Sequence, residues 1–437
     1  MNFKKILIAF CAIAVFQTSC TKTYLNPNAP DLTAVLSTPE GLLSYIVGTK
    51  QTWATSVRYN ETICGGQNTH EVLVLNNGNA DLAALYNGGT NVGGGNALIR
   101  AFWSSLNQVR ANGQIVIDNS KGLLNPQTQA TVNAYGNYFK AMAIATLAEY
   151  WENVPATVIS STDYLTGARV TFKPRADMLD EAIGNLNAAA ATLAATPVTA
   201  ANSSLVASNL GFDIDLPNAI QALLARIYTV RGNSASALAA AQKVDLTSKS
   251  VWKYDDANRN PLYNDFSTNN ISGGNPINFA LPPTLTQVDS TDGRLAFYLG
   301  STKTSRVTGF AIATTTFVPV YLPGEITLIK AEAYARTNDL VNATIELNKI
   351  LTKTTDPFGV TAKGKVYSGA VTQAAILTEI YRQRCIELYL SGQRLEDVRR
   401  FGRPILSDPN SESSRKFYPY PNVERDDNPN TPVDPAG

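Results

Sequence analysis

Two stretches of this 437-residue chain match each other without a gap, Pro217 to Val244 and Pro323 to Ile350, at a shift of 106 positions. Pro217 pairs with Pro323, Ile220 with Ile326, Ala225 with Ala331, Tyr228 with Tyr334 and Ala237 with Ala343. Each stretch opens on a proline, which a first helical turn tolerates because the missing N–H has no partner there in any case. A short polar turn, Arg231-Gly232-Asn233 or Thr337-Asn338-Asp339, then leads into a second apolar-periodic segment. An internal repeat of this kind predicts stacked helix pairs, each burying its neighbour's apolar face.

The spacing within each stretch fits a tetratricopeptide-type helix pair. Ala225 and Ala331 let two helices approach, Tyr228 and Tyr334 fill the gap one turn on, and Ala237 and Ala343 keep the returning helix close. Helical periodicity also covers Thr131–Trp151, Arg175–Leu193, Gln373–Leu390 and Arg394–Phe401. Few stretches alternate as strands do. The expected fold is all-α, a TPR-like helical repeat scaffold with long irregular loop insertions. Its parts are an N-terminal region (31–200), the hairpins 217–244 and 323–350, and C-terminal helices with a tail (373–437). Residues 58–96 and 251–320, rich in Gly and Asn, are expected to be irregular, and loops of that length are functional or mobile.

Lys4 and Lys5 precede an apolar run from Ile6 to Phe16, and Gln17-Thr18-Ser19 then lead to Cys20. This order reads as a secretory leader over residues 1–19, too short in its apolar part to span a bilayer. A cysteine directly after small residues reads as a lipidation site, so Cys20 is expected to carry the acyl anchor. Cys11 leaves with the leader, and only Cys64 and Cys385 remain in the body. Cys385 sits among helix formers as a small core residue, and a Cys64–Cys385 disulfide stays open.

Removal of the leader takes the formal charge from +1 to −1. Such a body lacks the basic face that nucleic acid requires. Charged residues make up 16% of the chain, against about 25% in ordinary domains, so Asn, Thr, Ser and Gln must cover much of the surface. The one histidine, His70, is expected on a solvent-facing loop. Zinc clusters and Ser-His-Asp triads fit poorly with a single imidazole, and no cofactor or metal is expected. Asp213/Asp215 and Asp255/Asp256 are carboxylate pairs in sequence only, which does not make a glycosidase pair. The run Asp255–Asn260 lacks the Gly and terminal Glu of a calcium loop, and Asn91–Gly95 lacks the Gly-Lys-Ser/Thr of a phosphate loop.

The aromatics in the irregular stretches carry the binding expectation. Neutral sugars lay their C–H faces on aromatic rings, which bring contact area with little flexibility to lose. Tyr59 and Tyr86 in the first stretch, and Trp252, Tyr254 and Tyr263 in the second, are the candidate ligand contacts, with core packing as the alternative for each. Trp53, Trp103 and Trp151 fall in helical segments and read as core. Arg384 with Glu387, and Arg394 with Asp397, stand three apart on helix faces and read as structural ion pairs.

Three stretches carry a resemblance to the SusD/RagB family of Bacteroidetes nutrient-binding lipoproteins. Lys140–Pro155, ending Trp151-Glu152-Asn153-Val154-Pro155, is similar to the family's helix ending Tyr-Gly-Asp-Val-Pro. The block from Ile380 to Gly402 is similar to its Glu-Arg-Arg-x-Glu-Leu and Gly-x-Arg-x-x-Asp signature, and Tyr418–Glu424 to its closing Pro-x-Pro-x-x-Glu. The resemblance implies a non-enzymatic protein held by lipid at the outer membrane and facing the cell surface. Such a protein binds glycan oligomers and delivers them to a TonB-dependent, SusC-like transporter; peptide is the alternative ligand, and an all-α glycoside hydrolase the enzyme reading.

Overall fold

A computed structural model describes residues 32–436 apart from 75–77, 124, 198–199, 212, 269–271, 275–280, 283, 286–287, 301–306 and 406–410. The leader and Cys20 lie outside the described residues. The helices in chain order are α1 (Leu32–Leu36), α2 (Pro39–Thr52), α3 (Arg58–Asn68), α4 (Ala80–Asn87), α5 (Ala97–Ser120), α6 (Pro126–Tyr150), α7 (Ser161–Leu165) and α8 (Arg175–Ala195). They continue as α9 (Ala200–Leu210), α10 (Leu216–Val230), α11 (Ser234–Ala241), α12 (Gly293–Leu299), α13 (Pro323–Arg336), α14 (Leu340–Leu351), α15 (Gln373–Glu387), α16 (Arg394–Arg400) and α17 (Asn422–Asp427). Six short strands, β1 (Val72–Val74), β2 (Asn153–Pro155), β3 (Phe172–Pro174), β4 (Val251–Trp252), β5 (Ser272–Gly274) and β6 (Val318–Pro319), pair antiparallel as β1–β5, β2–β3 and β4–β6. The architecture is the predicted helical one.

The helices pack in series. α5 lies on α6, α6 on α8, α8 on α10, α10 on α11, α11 on α13, and α13 on α14 and α15. Helix α6 is buried along most of its length and forms the spine of the main core. It meets α5 closely because two glycines face each other. A Cβ on Gly113 would stand 2.8 Å from the Gly136 carbonyl oxygen, closer than carbon and oxygen approach in real side chains.

The repeat is visible down to single hydrogen bonds. Gly232 and Asn338, 106 positions apart, both take a left-handed φ in the turn (79° and 63°). The next residues, Asn233 and Asp339, donate their backbone N–H to Tyr228 and Tyr334, each at 2.9 Å. Their side chains then cap α11 and α14 by accepting from the N–H of Ser236 and Asn342. The second hairpin builds a satellite core of Leu328, Ala331, Ala335, Ala343, Leu347 and Ile350 with Ile376 and Ile380 of α15.

One expected loop is a helix. Residues 58–68 form α3, nearly all of it buried. Gly65 is there for contact: a Cβ at that position would lie 2.5 Å from the Tyr150 hydroxyl, which donates to the Gly392 carbonyl at 2.8 Å. The glycines thus mark close packing, which composition alone cannot distinguish from flexibility. His70, too, is half-buried, with its ring 4.7 Å from that of Tyr86 and its Nε2 3.0 Å from the Tyr86 carbonyl. Cys64 and Cys385 are both buried free thiols. No helix among the described residues is long and apolar enough to cross a membrane.

Candidate functional site

The described residues of 251–320 are mostly irregular apart from α12 and a π-helical turn, and alternation in the extended part decides which side chains face out. In the extended run from β4 onward, Trp252 and Tyr254 turn inward, while Lys253 and Asp255 turn to solvent. Trp252 is 2% exposed, with its ring 6.1 Å from Trp53 and 6.4 Å from Phe139. Tyr254 is buried and donates to the Ala54 carbonyl at 2.8 Å. The expectation that both rings lie open to a ligand is corrected here, because a strand with one buried face places every second side chain in the core.

The remaining predicted contacts separate. Tyr59 is half-buried and donates to Asp265, on the π-helical turn (Tyr263–Thr268) that Tyr263 opens; Tyr263 is also half-buried. Burial first, and then the adjoining carboxylate, raises the Tyr59 phenol above its ordinary range, and burial raises Asp265. Tyr86 stands elsewhere, with its ring tilted against that of His70. The structure therefore gathers Trp252 and Tyr254 around the π-helical segment Trp53–Val57, links Tyr59 to the turn that Tyr263 opens, and leaves Tyr86 apart.

Behind this gathering lies a cavity of about 70 Å³, lined by the rings of Trp53, Trp252, Tyr298, Phe310, Tyr321 and Tyr389. Two ion pairs close its polar side. Arg58 donates to Glu61 and to the carbonyls of Leu390 and Ser391, each at 2.6 Å, and Arg226 grips Glu325 with both nitrogens at 2.6 and 2.8 Å. Ligand pockets span roughly 300–1,000 Å³, so this space holds a few waters and no oligomer. The outer face of the same region is open to solvent.

That outer face is two loops held together by one side chain. Asn260, 1% exposed, donates to the carbonyls of Phe310 and Thr316 at 2.7 and 2.8 Å, and its own N–H reaches the Thr314 carbonyl at 2.6 Å. It joins the 253–260 loop to the 309–317 loop. Phe317, 37% exposed, and Ile312 stand out from the joined loops beside Lys253, Asp255, Asp256 and Thr315. Phe317 continues inward as a ladder of rings, 6.1 Å to Phe358, 6.4 Å on to Phe310, and 6.2 Å from there to Tyr298 at the cavity wall. Phe317 was not among the candidate contacts read from the sequence, and the one signal for it is its place after a run of threonines, Thr314 to Thr316, in the same loop.

Three of the carboxylates set aside at the start, Asp213, Asp215 and Asp255, are engaged within the fold, and Asp256 is exposed. Asp213 is bridged to Lys50 at 3.1 Å and to Lys253, Asp215 caps α10, and Asp255 accepts from the N–H groups of Ala257 and Asn258 within its own turn. No group of three or more metal-ligating side chains gathers among the described residues.

The C-terminal charges are structural, with different partners from those expected. Arg384 bonds Asp397 at 2.7 Å, Arg394 lies 3.8 Å from Glu412, and Glu387 takes Arg294 at 3.2 Å together with Lys353. The turn between α15 and α16 brings Asp397 to Arg384, so the bonds run between elements where sequence spacing reads them along one helix.

Residues 253–435 match the model of the SusD family. No curated protein matches the chain. Among solved structures, a SusD superfamily protein from Bacteroides vulgatus is 16% identical, with 92% of this chain and 98% of that one covered and a TM-score of 0.64. A protein from the same organism described as a putative sugar binding protein is 16% identical over 90% and 98%, with a TM-score of 0.65. A laminarin binding SusD-like protein is 14% identical over 92% and 98%, with a TM-score of 0.58. The SusD family model thus matches the C-terminal block by sequence, and the helical stack shares its fold with SusD-like structures along nearly its whole length.

Proposed function

We propose that this protein is a non-enzymatic, lipid-anchored glycan-binding protein of the outer membrane, facing the cell surface, that passes oligosaccharides to a TonB-dependent, SusC-like transporter. The observation that carries the reading is the likeness, across nearly the full chain, to folds described as sugar binding and laminarin binding. The loop face agrees with it. Phe317 offers a ring for sugar C–H groups, and neighbouring threonine, aspartate and lysine side chains suit hydroxyl groups. Capture without turnover fits a face where Asp213 is held in ion pairs and Asp255 in its own turn. The anchor is Cys20, for which the sequence of the leader is the support.

Calorimetric titration of the chain lacking residues 1–20 against a panel of neutral oligosaccharides, laminarin fragments included, tests this. Saturable heat with no shorter products by mass spectrometry is the expected result. Binding of peptides alone would move the ligand class, and release of shortened sugars would make the protein an enzyme. Labelling cells with a radioactive fatty acid, with Cys20→Ala as the control, tests the anchor.

A further inference from the structure

Phe317 has a counterpart on a different part of the molecule. Among the described residues it shares exposure above a third only with Tyr164 as a large aromatic, 42% exposed on the short helix α7. The ring of Tyr164 is held from two sides. The Arg169 guanidinium lies 4.3 Å from its centroid, and the hydroxyl donates to Asp427 Oδ1 of α17 at 3.0 Å. Arg169 is fixed in turn, donating to the same carboxylate at 3.1 Å, to the Asp427 carbonyl at 2.9 Å and to the Tyr164 carbonyl at 3.2 Å. Ser160 caps α7 by accepting from the Asp163 N–H at 3.0 Å. The cation covers one face of the ring, so the exposed area belongs to the opposite face and the edge. Leu165 beside it is 82% exposed, and Val423, one turn before Asp427 on α17, is also exposed.

We infer that Tyr164 is a second sugar-binding platform, separate from the Phe317 loop face, that takes a neutral glycan unit on the open side of its ring. A ring fixed by two polar contacts loses little freedom when it binds, which favours stacking over an adaptable contact. Both polar groups beside it suit a neutral ligand. Asp427 is partly exposed and can accept a sugar hydroxyl, while Arg169 is already bonded to that carboxylate and is a poor clamp for an acidic polymer. Leu165 and Val423 extend the apolar surface that pyranose C–H faces cover.

This inference rests on the carbohydrate reading, and the experiment separates the two. The chain lacking residues 1–20 is titrated with the oligosaccharide it binds best, as wild type, Tyr164→Ala, Tyr164→Phe and Phe317→Ala, with thermal melts on each. Tyr164→Ala is expected to weaken binding of the longer oligomers by about three- to tenfold, the size of one aromatic contact. Tyr164→Phe, which keeps the ring and drops only the bond to Asp427, is expected to stay within twofold of wild type. Equal loss in both variants would assign Tyr164 to holding its loop and overturn the platform. Wild-type affinity in Tyr164→Ala would overturn it as well while leaving the carbohydrate reading intact. A wild type that binds no glycan overturns both.

Discussion

Residues 58–96 and residues 251–320 are both rich in Gly and Asn, yet one is packed scaffold and the other is the loop face. The difference lies in what surrounds the small residues. In α3 the glycines are pressed against Tyr150 and the Leu390–Gly392 turn, so smallness serves close packing. In the second stretch an extended backbone splits the aromatics, with Trp252 and Tyr254 turned inward and Phe317 outward. Composition reports that a segment is not an ordinary amphipathic helix. It does not report whether another element lies on top of it.

The largest expected effect tests the charges that support both regions. Glu387 is fully buried between Arg294 and Lys353, and Glu387→Ala takes a carboxylate from both, leaving Arg294 with Asp292 and Lys353 with Asp356. A loss of about 3–5 kcal/mol follows from two buried charge-assisted bonds removed at about 1.5–3 kcal/mol each, read as a lower urea midpoint. Next, Trp252→Ala should cost a similar or slightly smaller amount, about 3–5 kcal/mol for a large aromatic removed from a core. If its stability were unchanged, the claim that this stretch has an inward side would fail. Gly65→Ala should cost about 1–3 kcal/mol by overpacking against the Tyr150 hydroxyl; a neutral result would return α3 to the class of loose segments. Phe317→Ala closes the series, with stability within about 0.5 kcal/mol of wild type, as expected of an exposed site, and a measurable loss of glycan affinity.

Two carboxylates beneath the helical stack should respond to pH in opposite ways. Glu332 is held down at about 2, burial opposing the stronger pull of Arg400 and its neighbours. A carboxylate whose folded value is depressed stabilises the fold above its ordinary pKa of about 4.5 and loses that contribution as pH falls toward 2. Glu149 is pushed up to about 8, chiefly by burial and partly offset by Arg226. It keeps its proton in the fold after the unfolded chain has released it, so stability declines as pH rises from about 4.5 to 8. Glu149→Gln is therefore expected to flatten the upper part of that profile in thermal melts while leaving the acid limb in place.

The scaffold was legible because its signals are local and repeated. Pro217 and Pro323, the paired turns and the matching tyrosines specify each hairpin without reference to the rest of the chain. Which side chains of 251–320 face outward was not legible. Asp397 belongs to Arg384 because a turn folds α16 back onto α15, and Asn260 joins two loops some fifty residues apart. Neither contact leaves a periodic trace. His70 failed for the same reason, since its burial depends on Tyr86 arriving from the following helix.

The small cavity behind the Phe317 loops has a consequence for how cargo would be handled. On the proposed reading, a polysaccharide rests across an open shelf with both of its termini left in solution. Grip then does not depend on where the polymer begins or ends, and a downstream acceptor could take hold of one tail while the middle is still retained. Handover of that kind requires no door to swing open first.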